Sequence, residues 1–225
     1  MPFQRRFIVS LIVKSFICNA FQENTYVISR GKECIILDPG CSNDDERNDI
    51  MNYMTSHQLI PVKLFNTHSH IDHVLGCAWV YEHYKLAPHI HEQDYIVYQA
   101  QDQVAKAYGF HLETLPKELV LWNHSHESVK VLGFDCQILE TPGHSPGHVC
   151  YYWPEPGILM SGDCLFKGSI GRLDLPGGNH KQMLKSLKKL ARLPGHTKVY
   201  SGHGEPTTIA QEIRDNPYLQ SQYLC

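Results

Sequence analysis

The run Thr67-His68-Ser69-His70-Ile71-Asp72-His73 constrains this chain more than any other feature, because it packs four potential metal ligands into six residues. It follows an apolar stretch, residues 60–65, that reads as a strand. Where a strand breaks into a loop, alternate side chains turn toward one point, so His68 and His70 share a face. Asp72 and His73 start a helix and lean toward a second point. Imidazole with carboxylate suits zinc and its borderline neighbours. Four ligands are too many for one ion that must keep a position open for chemistry, so the run implies two ions.

Length and composition set the frame for such a site. At 225 residues the chain reads as a single domain, residues 1–225, long enough to bury a real core. It is 42% apolar and 19% charged, with no run of 18 apolar residues, so no membrane partner is expected. A net charge of −3 supplies no basic field for nucleic acid. Eight scattered cysteines with no CxxC pair read as reduced thiols of a cytoplasmic protein. Arg5-Arg6 before the apolar run 7–13 faintly resembles a signal sequence, but Lys14 interrupts it and no clean cleavage site follows. A first β-strand explains the run better.

Strand-like runs fall at residues 7–17, 25–29, 34–37, 62–66, 129–132, 136–140, 149–153, 158–161 and 198–200. Helices are expected after Ser42-Asn43, where three carboxylates occupy the first turn, and over 72–84, 92–107 and 207–214. A further helix is marked by the apolar face Met183, Leu184, Leu187 and Leu190; its lysines are a solvated face. Strand runs with inserted helices predict sheet packed on sheet with helices outside.

Three more strands finish in small-residue turns that carry a His or an Asp: Thr141-Pro142-Gly143-His144, Ser161-Gly162-Asp163 and Ser201-Gly202-His203-Gly204. Glycine lets the backbone bend sharply and come close to an ion. His68, His70 and His144 are then assigned to one metal, and Asp72, His73 and His203 to the other, with Asp163 bridging. Two ions about 3.5–4 Å apart can share a water and lower its pKa toward neutrality.

The pattern HxHxDH, then His 71 residues on, Asp 19 further and His 40 further, resembles the metallo-β-lactamase-fold hydrolases, and all seven ligand positions match. The resemblance implies an α/β fold, a four-layer αββα sandwich, with two divalent ions at one edge. Zinc is the expected metal, and iron or manganese fit the same donors. His148 also resembles a recurring feature of the family, with a supporting role rather than a ligand role. The other histidines outside the motifs read as surface or satisfied core.

The segment Gly162 to Arg172 resembles the stretch after the bridging Asp in glyoxalase II-type thioesterases, and its continuation to Gly178 is similar to their short bacterial relatives. That implies a thioester substrate on a glutathione-like carrier, with Arg172 forking onto a carboxylate. Arg172 pairing with Asp174 to fix the loop is the competing reading. Lys167 and His180 are lesser candidates for lining the pocket. The resemblance assigns Asp72 and Asp163 the catalytic role of orienting a hydroxide. Full-length enzymes of that type carry a helical C-terminal domain that supplies much of the glutathione site, whereas 22 residues follow His203 here, so altered carrier recognition is expected. The stretch 92–107 with Tyr108, Phe110 and residues 112–116 stands in place to wall the pocket, although Tyr95, Tyr98, Tyr108 and Phe110 read as core. The rival activities are a mononuclear-iron persulfide dioxygenase and a lactonase or other hydrolase of the same fold.

Overall fold

The computed structural model describes residues 10–123 and 128–220. Two six-stranded sheets each follow chain order across their width. The first holds β1 (Ile12–Cys18), β2 (Glu23–Arg30), β3 (Glu33–Leu37), β4 (Ile60–Phe65), β5 (Pro88–His91) and β6 (Val120–Trp122). The second holds β7 (Ser128–Val131), β8 (Phe134–Glu140), β9 (Val149–Trp153), β10 (Ile158–Gly162), β11 (Lys198–Ser201) and β12 (Thr207–Thr208). Strands β1 to β3 are antiparallel, and β3 to β6 run parallel through helical crossovers.

Strand alternation explains the layers. Tyr26, Ile28, Ile35, Leu37 and Phe65 point inward, where they meet Phe134, Ile138, Tyr151, Trp153 and Met160 of the second sheet. The rings of Phe65 and Tyr151 stack across that interface at 4.7 Å. On the outer face of the first sheet, Val27, Ile36, Leu64 and Ile90 pack against α1 (Asp44–Ser56), α3 (Cys77–Tyr84) and α4 (Tyr95–Tyr108). On the other side, Leu159 and Val199 pack against Met183, Leu187 and Leu190 of α5 (His180–Leu190) and against Ile209 of α6 (Ile209–Asp215). The arrangement is the αββα sandwich. No helix among the described residues is long and apolar enough to cross a membrane.

Several boundaries differ from the sequence expectation, for local reasons. Residues 7–9 of the expected first strand lie outside the described residues, as do His124, His126 and Cys225. The expected helix over 72–84 is two helices, α2 (Ile71–Val74) and α3. Between them Gly76 donates its N–H to Pro39 O at 2.7 Å, and a Cβ there would strike Cys41 Sγ. That approach suits glycine and parts the two helices. The expected helix over 92–107 opens as a 3₁₀ turn, Glu92–Asp94, before α4. Thr207 and Thr208 pair with β11 before α6 begins. The short strands β5 and β6 went unseen because they are three or four residues long and β5 carries two histidines. Buried His89 is satisfied core, its Nδ1 3.0 Å from Leu64 O.

Candidate metal centre

The loops that follow β4, β8, β10 and β11 meet at one edge of the sandwich. They are stitched together by backbone: Val149 N donates to Thr67 O at 2.8 Å, and Asn24 N donates to Gly202 O at 2.7 Å. Asp38, at the end of β3, accepts from Thr67 N and Thr67 Oγ1, both at 2.7 Å. Its backbone is left-handed, with φ 50°. For a residue with a Cβ that conformation is strained, and it persists where the surrounding structure over-determines it.

These loops bring together three groups of side chains, each with its donor atoms within 4.8 Å of one another: His68 with His70 and His144, Asp72 with His73 and His203, and His68 with His73 and Asp163. His70 Nδ1 lies 2.8 Å from His144 Nε2. Asp163 joins the sets, its Oδ1 3.5 Å from His73 Nε2 and its Oδ2 3.4 Å from His144 Nε2 and 3.6 Å from His203 Nε2. Asp72 Oδ2 is 3.2 Å from His203 Nε2. All seven residues named from the sequence therefore converge.

The donors fit divalent metal. His68 Nε2, His73 Nε2 and Asp163 Oδ1 are buried and have no hydrogen-bond partner, a costly arrangement unless a cation satisfies them. Burial, reinforced by the neighbouring imidazoles, drives the pKa of His68 well down, and burial with His144 lowers that of His70 to about 3. Both rings are thus held neutral, the form that ligates. Burial opposes charge on Asp163 and Asp72, but His73 and His203 overcome it and keep both carboxylates anionic. On His73 burial is outweighed by Asp72, Asp163 and Asp38, which raise its pKa.

Four of the five imidazoles, all but that of His70, are oriented from behind, as is usual for metal-binding histidines. Thr67 Oγ1 is 3.1 Å from His68 Nδ1, and Asp38 Oδ2 is 3.2 Å from His73 Nδ1. His144 Nδ1 meets Arg172 O at 2.8 Å, and His203 Nδ1 meets Phe21 O at 3.1 Å. His148 has the supporting place expected of it: its Nε2 accepts from Asp163 N at 3.0 Å and its Nδ1 is 2.8 Å from Thr141 Oγ1.

The chain belongs to the metallo-beta-lactamase superfamily. The model of that family, Lactamase_B, matches residues 18–203. The hydroxyacylglutathione hydrolase GloC of Haemophilus influenzae is 33% identical over 208 residues, covering 90% of this chain and 95% of its own length. Among solved structures, the di-iron-bound form of TTHA1623 is 37% identical with a TM-score of 0.83, covering 92% of this chain and all of that one. The B3 metallo-beta-lactamase BLEG-1 is 34% identical with a TM-score of 0.84, covering 93% of this chain and all of that one. Like its superfamily relatives, the chain is a metallo-hydrolase that binds divalent metal.

The basic candidates stand at the surface, and none of their side chains joins the three groups of potential ligands. Arg172 Nε and Nη2 fork onto Asp174 at 2.7 and 2.8 Å, which is the loop-fixing arrangement. Lys167 pairs with Glu205 at 2.5 Å, and exposed His180 opens α5. Of the aromatics read as core, Tyr98 is buried, whereas Tyr95 and Tyr108 are exposed because they lie on the solvent side of α4. Sequence reasoning missed Asp38, although Asp38-Pro39-Gly40 ends a strand just as the three other loops do. It also missed Asp94, fully buried, which accepts from Ser69 N, Ser145 Oγ and Gly147 N. No local signal marks Asp94, since every group it holds lies 25 residues or more away in sequence.

Proposed function

We propose that the chain hydrolyses S-acyl, above all hydroxyacyl, thioesters of a glutathione-like carrier. His68, His70 and His144 would hold one divalent ion and Asp72, His73 and His203 the other, with Asp163 available to both sets. The observation that carries this reading is the convergence of seven donors with three buried donor atoms left unpartnered. The likeness to GloC along nearly the whole chain supports the thioester choice.

When bound, the ions lower the pKa of a water and polarise the thioester carbonyl. The protein does the rest. Neutral His68 and His70 leave their ring nitrogens free to ligate, and anionic Asp72 and Asp163 accept the hydrogens of the attacking water and fix its direction. His70, Asp72 and His203 are the partly exposed ligands, the last two with 14% and 25% of their side chains accessible, so substrate reaches the site over these three. The group that leaves is a thiolate, whose conjugate acid has a pKa of about 8.5, so departure needs little help from a general acid. Seven described cysteines, all buried and free, suit a reducing cytoplasm.

The likeness to BLEG-1 favours β-lactam hydrolysis as a second reading. Metal analysis of protein purified without added metal, followed by assays on S-lactoylglutathione, a chromogenic β-lactam and glutathione persulfide with an oxygen electrode, separates the possibilities. Two metals per chain and thioester turnover are expected. One iron with oxygen uptake on the persulfide overturns the proposal in favour of a dioxygenase, and turnover of the β-lactam alone overturns it in favour of a lactamase.

A further inference from the structure

The turn between β1 and β2 holds an exposed phenylalanine beside the metal centre, and the fold spends strain to keep it there. Asn19 and Gln22 are both left-handed, with φ 51° and 57°. Asparagine enters that region readily, so the strain falls on Gln22, which stays there where its surroundings fix it. The fixing bonds are present: Asn19 Nδ2 donates to Gly40 O and to Asp72 O, each at 3.0 Å, and Asn19 N donates to Glu46 Oε1 at 2.9 Å. Phe21 N donates to Asn19 Oδ1 at 2.9 Å. The turn is thus tied to the backbone of one ligand, Asp72, while Phe21 O anchors another, His203.

The Phe21 ring is 39% exposed and meets two aromatics from a distant segment: Tyr108 at 5.5 Å, edge-on, and Phe110 at 5.4 Å. Tyr108 is 53% exposed, and Phe110 is packed onto Ile71 and Leu75, within and just beyond the ligand run. The ring of Phe166 also lies beside the site, 5.9 Å from that of His203. An exposed aromatic pair held rigidly at the open edge of a metal site offers a flat apolar surface to whatever reaches the metal. Arg172 also borders the site: its carbonyl anchors His144, while its guanidinium lies within electrostatic reach of the Tyr108 phenol and is forked onto Asp174.

The carboxylates of a glutathione-like carrier gain nothing from a flat apolar surface, whereas an apolar acyl group is matched by one. We infer that Phe21 and Tyr108 form an acyl-group subsite that selects aromatic or bulky apolar acyl thioesters over small ones such as lactoyl. The inference rests on the thioesterase reading and specifies its substrate class.

S-lactoylglutathione and S-mandeloylglutathione differ by a methyl against a phenyl on the same hydroxyacyl frame, so their ratio of kcat/KM reads this subsite. The wild-type protein is expected to favour the mandeloyl ester about tenfold or more, the scale of discrimination an apolar pocket supplies. Phe21→Ala and Tyr108→Ala each bring the ratio toward one, Tyr108→Phe keeps it, and Ile96→Ala, exposed elsewhere on α4, leaves it unchanged. Because Ala at position 21 retains the carbonyl that anchors His203, and Tyr108 is exposed, at least the second variant reports on a folded protein. A wild-type preference for lactoyl, or a ratio that survives both alanine variants, overturns the subsite. Calorimetric binding of mandelate and lactate to the metal-loaded protein separates the two layers of the reading. Mandelate binding that Phe21→Ala abolishes, in a protein that hydrolyses neither thioester, sinks the thioesterase and leaves the aromatic subsite standing. Thioester hydrolysis with equal binding of both acids does the reverse.

Discussion

The buried carboxylate of Asp94 accepts the hydroxyl of Ser145, and through Ser69 N and Gly147 N it braces both loops that carry His68, His70 and His144. Burial raises its pKa, while the donors from Ser145, Gly147 and Ser69 pull it back down. Gly147 has to be glycine for this contact, since a Cβ would strike the Asp94 backbone. Asp94→Ala therefore loosens two ligand loops at once without removing a ligand. We expect metal affinity to fall about 10- to 100-fold, the usual cost of losing a group that orients ligands. Chelator competition measures it, and unchanged affinity in a folded variant refutes the bracing role. Ser145→Ala, which removes only one of the three donors, should cost less.

Gly202 makes a sharper case, because it carries no chemistry at all. A Cβ at this position would run into Asp163 Oδ1 and come within 2.7 Å of His73 Cε1. Gly202→Ala is expected to displace two proposed ligands and reduce bound metal below that of the wild type, while leaving the far-UV circular dichroism intact. Full metal content in the variant would show that the Asp163 carboxylate can swing aside without cost.

These two residues mark the boundary of what the sequence reveals. The seven candidate ligands were legible because five lie in strand-end turns with small neighbours and Asp72 and His73 follow at once at the start of α2, a local pattern. The sandwich was legible from short β-branched runs and helical faces. Asp94 and Phe21 were not legible, since each acts on groups far away in sequence and only the closed fold brings them together. The break at Gly76 and the short strands β5 and β6 failed for the same reason: tertiary approach at Pro39, and parallel pairing of β5 to β4 and of β6 to β5, decide them, not periodicity. Tyr108 was misjudged as core because aromatic residues on a helix are usually buried, and here the face is set by what the helix leaves open beside the metal centre.

Thiol chemistry tests the core directly. Cys18, Cys34, Cys41, Cys77, Cys136, Cys150 and Cys164 are all buried. Burial pushes the Cys34 thiol up to about 12, and raises Cys136 and Cys77 likewise. A raised pKa leaves almost no thiolate, the reactive form, at pH 8. In a Cys225→Ser variant, Ellman's reagent should therefore find no fast-reacting thiol in the native protein and all seven in guanidinium. A rapid native phase would mean that one of these residues is more open than its packing indicates.

Tyr151 links the sheet interface to the metal edge. Its hydroxyl accepts from Trp122 Nε1 and donates to Asn66 O, both at 3.0 Å, and Asn66 Nδ2 in turn donates to His73 O at 2.9 Å. Tyr151→Phe keeps the ring stacked on Phe65 but withdraws a buried donor and acceptor together. Disrupting buried hydrogen bonds of this kind costs about 1–3 kcal/mol. For a chain of this size each kcal/mol lowers Tm by about 2–4 °C. We expect a fall in Tm of that order, measured by calorimetry on the metal-loaded protein. Because Asn66 still holds the His73 backbone through its own side chain, metal content should stay at the wild-type value. A variant that keeps its Tm would show that solvent or a neighbouring group replaces the hydroxyl, and one that loses metal would show that the sheet interface and the ligand loop move as a single unit.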